Sequence, residues 1–173
     1  MAQEQTQSVK LSLRLDAPIH TAIQQEGRAK GRLIDEHIQR ILTEYVIRQN
    51  LLDDATGKEI EMKWSLVQRA VDAARRICRE GGFAPDITNL AISACIADPQ
   101  WFADYESYVK DNPYKHGNPR KGQINKEIGF RIRAGIGGQA AKRSDGKPAK
   151  IPVVGSIIQS CTEMESFKND SVR

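Results

Sequence analysis

From Val9 to Leu15 the chain alternates apolar and polar side chains without a break: Val9-Lys10-Leu11-Ser12-Leu13-Arg14-Leu15. Successive side chains of a strand point to opposite faces, so this period of two predicts a half-buried strand, with Leu11, Leu13 and Leu15 on one face and Lys10, Ser12 and Arg14 on the other. The period then changes. Asp16 stands where an N-cap belongs and Pro18 in the first turn after it, where a missing amide hydrogen costs little. A helix is predicted from there, with Ile19, Ala22 and Ile23 as its apolar stripe. Ala29-Lys30-Gly31-Arg32 interrupts it, and a second helix follows in which Ile34, Ile38, Ile41, Leu42, Tyr45 and Val46 recur at helical spacing.

The helical period persists beyond residue 50. Ile60, Trp64, Val67, Ala70, Val71, Ala74 and Ile77 recur every three or four positions, predicting a long helix over residues 59–80 closed by Gly81-Gly82. Arg69, Arg75, Arg76 and Arg79 lie on its polar face and read as surface charge complementing the helix dipole. Asp86 is placed to cap another helix, containing Ile87, Leu90, Ala91, Ala94 and Cys95. Asp98-Pro99 opens a further one, on which Trp101, Phe102, Tyr105 and Tyr108 read as core. Residues 113–122 combine Pro113, Gly117, Pro119 and Gly122 with Lys115, Arg120 and Lys121, a basic linker or loop. Ile124, Ile128, Ile132 and Ile136 then form one ridge of a helix whose other side carries Lys126, Arg131 and Arg133. Gly137-Gly138 ends it, and Ser144-Asp145-Gly146-Lys147-Pro148 is a turn. The apolar stretch 151–161 fits either a short strand or a packed helix. Gly135-Ile136-Gly137-Gly138 lacks the strand before and helix after that a nucleotide loop requires.

The expected fold class is mainly α: a strand-helix-helix unit over residues 1–50, followed by a mostly helical region over residues 51–173. A length of 173 residues suits one domain, or a small domain with a second appended. The net charge of +4 is a local property. Residues 113–150 carry 10 basic and 2 acidic side chains, whereas residues 51–112 carry 7 and 11. Lys115, Arg120, Lys121, Lys126, Arg131 and Arg133 of the basic segment therefore form a candidate second surface for an anionic partner.

Cys78, Cys95 and Cys161 make no Cys-x-x-Cys pair, so neither a disulfide framework nor a zinc site is indicated and a reducing compartment fits. No run approaches the roughly 18 apolar residues of a membrane span. With a polar amino terminus, a soluble, cytoplasmic protein is expected, with no membrane partner. His20, His37 and His116 are scattered, the first two on predicted helix surfaces, and nothing near Asp53-Asp54 completes a cation site. No catalytic residue, metal or cofactor is indicated, and the chain does not read as an enzyme.

A seven-residue strand alone leaves both edges unpaired, and about forty residues cannot enclose a core around two amphipathic helices. One solution is an edge strand and helical hairpin inside an ordinary α+β domain. The other is a two-fold dimer in which the strands pair antiparallel and the four helices interlock beneath them. In the dimer the leucines enter the shared core, and Lys10, Ser12 and Arg14 project from the opposite face.

The alternating strand, Ile19 and Ile23 in the first helix, Gly31 in the turn, and Ile34 and Ile38 in the second together resemble the ribbon-helix-helix family of DNA-binding proteins, over residues 8–50. The resemblance implies that a two-stranded ribbon enters the major groove with Lys10, Ser12 and Arg14 at base edges. Arg14 can offer paired donors to guanine O6 and N7, and Lys10 can donate to the same acceptors. It also implies a phosphate held at the start of the second helix, at Arg32 and Leu33. Leu33 replaces the small hydroxyl residue common there, leaving backbone amides and Arg32 to supply the contact. The implied partners are double-stranded DNA and a second copy of the chain, with higher oligomers on DNA. The implied role is that of a transcriptional repressor. Alternatives are a plasmid or phage accessory protein marking a transfer, partition or replication site, or an antitoxin or adaptor that binds a protein through residues 51–173.

Overall fold

The computed structural model describes residues 10–166. It is mainly helical, with helices α1 (Ala17–Ala29), α2 (Ile34–Arg48), α3 (Asp54–Gly81), α4 (Ile87–Ile96), α5 (Pro99–Val109) and α6 (Pro119–Gly135). Four short strands follow: β1 (Gln139–Ala140), β2 (Lys150–Pro152), β3 (Ser160–Thr162) and β4 (Met164–Glu165). The chain divides into two compact units, Met1–Leu42 and Thr43–Arg173, the division falling within α2.

In the first unit Asp16 and Pro18 open α1 as the sequence predicts, although Asp16 makes no side-chain cap bond and uses only its carbonyl, which accepts from His20 N at 2.9 Å. Gly31, at φ +64°, turns the chain toward α2. Residues 10–15, predicted as a strand, belong to no ladder among the described residues, where the first strand is β1. Val9, where the alternation begins, lies outside the described residues. A strand is defined by its hydrogen-bonded neighbour, and no other described segment of this chain lies alongside to supply one.

The second unit is built around α3, whose buried stripe Leu66, Ala70 and Ala74 meets α4, α5 and α6. Small side chains at Ala70, Ala73 and Ala74 let the neighbouring helices approach closely, and bulk comes from the facing elements. Those contribute Ile87 and Ile92 from α4, Trp101 and Tyr105 from α5, and Ile124, Ile128 and Ile132 from α6, all fully buried. The predicted isoleucine ridge is thus a core ridge. The two large aromatics carry satisfied polar atoms inward: Trp101 Nε1 donates to Leu66 O at 3.1 Å, and Tyr105 Oη donates to Asn125 Oδ1 at 2.8 Å.

Several boundaries differ from the sequence reading. α3 begins at Asp54, because Asp53 is its N-cap: the Asp53 carboxylate accepts from Thr56 N at 2.9 Å and from Thr56 Oγ1 at 2.7 Å. These bonds hold its pKa below the ordinary value. Asp98 caps α5 in the same way, accepting from Gln100 N and Trp101 N. The predicted linker ends at residue 118, where Asn118 caps α6 by accepting from Lys121 N at 3.0 Å. Pro119, Arg120, Lys121 and Gly122 are therefore the first turn of a helix. Of the two alternatives for the stretch 151–161, short strands are what forms, at its ends. β1 pairs antiparallel with β4, and β2 with β3, with Ile151 opposite Cys161. Pro148, Pro152 and Gly155 exclude a helix there, and short edge pairings tolerate Pro152's missing amide hydrogen. The turn at residues 144–148 forms as predicted, with Arg143 N donating to Lys147 O and Gly146 at φ +77°.

α6 crosses α3 at Gly135. A methyl group there would lie 2.6 Å from Val71 Cγ1, and Arg75 Nε donates to the Gly135 carbonyl at 3.0 Å. Gly135→Ala should destabilise the protein by about 1 to 3 kcal/mol despite alanine's better helix propensity. Gly122→Ala, where the added methyl meets nothing within 4 Å, should instead be neutral or stabilising by up to about 1 kcal/mol. Urea denaturation of the two variants reads out both signs.

Candidate nucleic-acid interface

The alternating segment stands open on both faces. Lys10, Ser12 and Arg14 are exposed, and so are Leu11 (70%), Leu13 (53%) and Leu15 (37%), the face that a half-buried strand would cover. Ile19, Leu33, Ile41 and Leu42 of the same unit are exposed large apolar side chains as well. Apolar side chains exposed in this number on a small unit make it a candidate interaction surface.

α1 and α2 meet at Gly27, where the nearest neighbours of an added Cβ would be His37 Cβ at 3.3 Å and Arg32 O at 3.4 Å. His37, predicted on a helix surface, is only 2% exposed, because the glycine opposite leaves room for the imidazole. Its Nε2 lies 3.2 Å from Glu26 Oε2. The Glu26 carboxyl is held below its usual range, chiefly by the Lys30 ammonium at 2.5 Å. His20 remains exposed.

The start of α2 differs from the predicted phosphate site. The Arg32 amide donates to Gly27 O at 2.7 Å, closing the end of α1, and so is not turned toward a ligand. Leu33 is exposed and has no side-chain acceptor; its carbonyl takes the amide of His37. Asp35 and Glu36 occupy the first turn of α2, where carboxylates favour the helix dipole but repel phosphate.

The six cations of the basic segment do not form one free surface. Lys115 pairs with Asp111 at 3.2 Å. Arg120 is held by Glu59 at 2.7 Å, by the Tyr108 carbonyl and by the Tyr108 ring, 4.8 Å from its guanidinium carbon. Lys121 is 7% exposed and its Nζ donates to Lys115 O at 2.9 Å, while burial pushes its pKa below the ordinary value. Arg131 and Arg133 lie over the Phe130 ring at 5.6 and 5.5 Å. Lys126 stands exposed. Two of the four arginines of α3 are likewise engaged, Arg69 with Asp98 at 2.5 Å and Asp104 at 3.2 Å, and Arg75 with the Gly135 carbonyl at 3.0 Å.

Part of the segment instead lines a cleft of about 460 Å³ between α6 and the β2–β3 pair. Gly122, Lys126, Gly129 and Arg133 make its α6 wall at helical spacing. The sequence shows that stripe, but assigning Gly122 to a linker hides it. Among the described residues no group of three or more His, Cys, Asp or Glu side chains is arranged to hold a metal ion, and no helix is long and apolar enough to cross a membrane.

Lys121→Met should keep the fold, with stability changed by less than about 1.5 kcal/mol, because a similar volume replaces an inward-turned ammonium. Were the chain to bind DNA, the salt dependence should be unaltered by this change; a shallower slope in filter binding would show that Lys121 reaches phosphate. No family model matches the chain, and no curated protein or solved structure matches it.

Proposed function

We propose that the chain is a sequence-specific double-stranded DNA-binding protein that acts as a ribbon-helix-helix dimer, and that its use is transcriptional repression. The single observation that carries this reading is the segment of residues 10–15, which leaves three alternate leucines exposed and has no described strand of its own chain beside it. Burying an exposed leucine side chain contributes roughly 1.5 to 3 kcal/mol. Pairing with the same segment of a second copy satisfies the backbone and covers the leucines in one step. The order that follows, a 13-residue helix, a glycine turn and a 15-residue helix, is the one the family uses. In the paired ribbon Lys10, Ser12 and Arg14 face outward, with donors suited to the guanine edge in the major groove. The reading rests on these three residues.

A second use of the same DNA binding is favoured by the size of the second unit. Thr43–Arg173 has its own core and exceeds what a dimerisation element requires. In that reading the unit recruits a protein to the bound site, as an accessory factor or adaptor would.

Selection of bound sequences from a random DNA pool should return a palindromic or tandem consensus; recovery of unenriched sequence would reject the reading. Arg14→Ala should weaken binding to that consensus by about 1 to 3 kcal/mol while affecting random DNA less. Equal losses on both would assign Arg14 to phosphate. Leu13→Asp should abolish the dimer in light scattering by placing a carboxylate in the shared core, and a surviving dimer would reject the inward placement of the leucines.

A further inference from the structure

We infer that the cleft between α6 and the β2–β3 pair is a binding site for a small aromatic phosphate of nucleoside-monophosphate size. Lys126, Arg133 and Lys150 line it, and none of its lining residues is Asp or Glu. Neither Lys126 nor Lys150 has an acidic partner among the described residues, so positive charge accumulates around a concave surface, which concentrates anions. The amino-terminal end of α6 opens on the same cleft and adds the positive end of its dipole.

The cleft also offers apolar surface. Phe130 is a large exposed aromatic in its lining. Gly122 and Gly129 remove two side chains from the α6 wall, so a flat group can approach the helix backbone. A volume of about 460 Å³ lies in the range of sites that enclose small organic ligands. An inorganic ion would leave most of it unfilled, and a purely apolar ligand would leave the cations unanswered. A planar ring joined to a phosphate answers both. The surrounding wall is braced: Asn125, which lines the cleft, accepts from Tyr105 Oη and donates to Ile157 O at 3.3 Å, so the site is formed before a ligand arrives.

The test uses the full chain and isothermal titration with adenosine and uridine monophosphates, adenosine, inorganic phosphate and a short oligothymidylate. The monophosphates should bind at least 10-fold more tightly than adenosine or phosphate. Gly122→Leu, which projects into open space, should keep the circular dichroism spectrum and lower monophosphate affinity at least 10-fold. The double variant Lys126→Gln, Arg133→Gln should do the same. Monophosphate binding no better than that of inorganic phosphate would overturn the proposal, as would binding unchanged by Gly122→Leu. Oligothymidylate binding that Gly122→Leu abolishes, with no monophosphate binding, would overturn it in favour of a nucleic-acid strand. Loss of DNA recognition in Arg14→Ala leaves these titrations unchanged, so the two functional readings fail separately.

Discussion

Close approach along one helix organises the second unit. α3 sets Ala70, Ala73 and Ala74 among Leu66, Val67 and Val71, and further large side chains come from α4, α5, α6 and the strand region. Beside these small residues Trp101 reaches the backbone of α3 at Leu66, and at Gly135 it is α6 that gives way to Val71. Close approach also explains why so many cations are engaged. Once the helices are close, Arg69, Arg75 and Arg120 lie within reach of carboxylates and carbonyls on neighbouring elements. Individually such half-exposed pairs contribute about 0 to 1 kcal/mol, so they orient the helices more than they hold them together.

Helix starts were legible in the sequence wherever an Asp or Asn precedes an early proline and the surroundings stay quiet. Asp16-Ala17-Pro18 and Asp98-Pro99 mark α1 and α5 correctly. Asn118-Pro119 carries the same chemistry, but neighbouring glycines and lysines give the stretch the look of a linker, and the first turn of α6 is missed. Asp53 shows the converse: read as half of a paired carboxylate, it is a helix cap whose oxygens are taken by Thr56. The strand pairs after α6 are not legible because each is two or three residues long, and periodicity needs more positions to declare itself.

The candidate interface divides along similar lines. Alternation at residues 9–15 predicts which side chains would share a face, and the described residues 10–15 are exposed on both. Net charge over residues 113–150 locates cations in the chain but not in space. Lys121 points inward, Arg120 is clasped by Glu59 and Tyr108, and only part of the segment faces the cleft. His37 is lost to sequence reasoning for a related reason: the space it fills is created by Gly27, ten positions earlier on another helix.

Both ends of α6 are fastened. Asn118 and Arg120 tie its beginning to the carbonyls of Val109 and Tyr108, and the crossing at Gly135 leaves no clearance against Val71 at its end. A rod secured at two points resists sliding and swivelling, so the wall that α6 lends to the cleft is set in place before anything enters it.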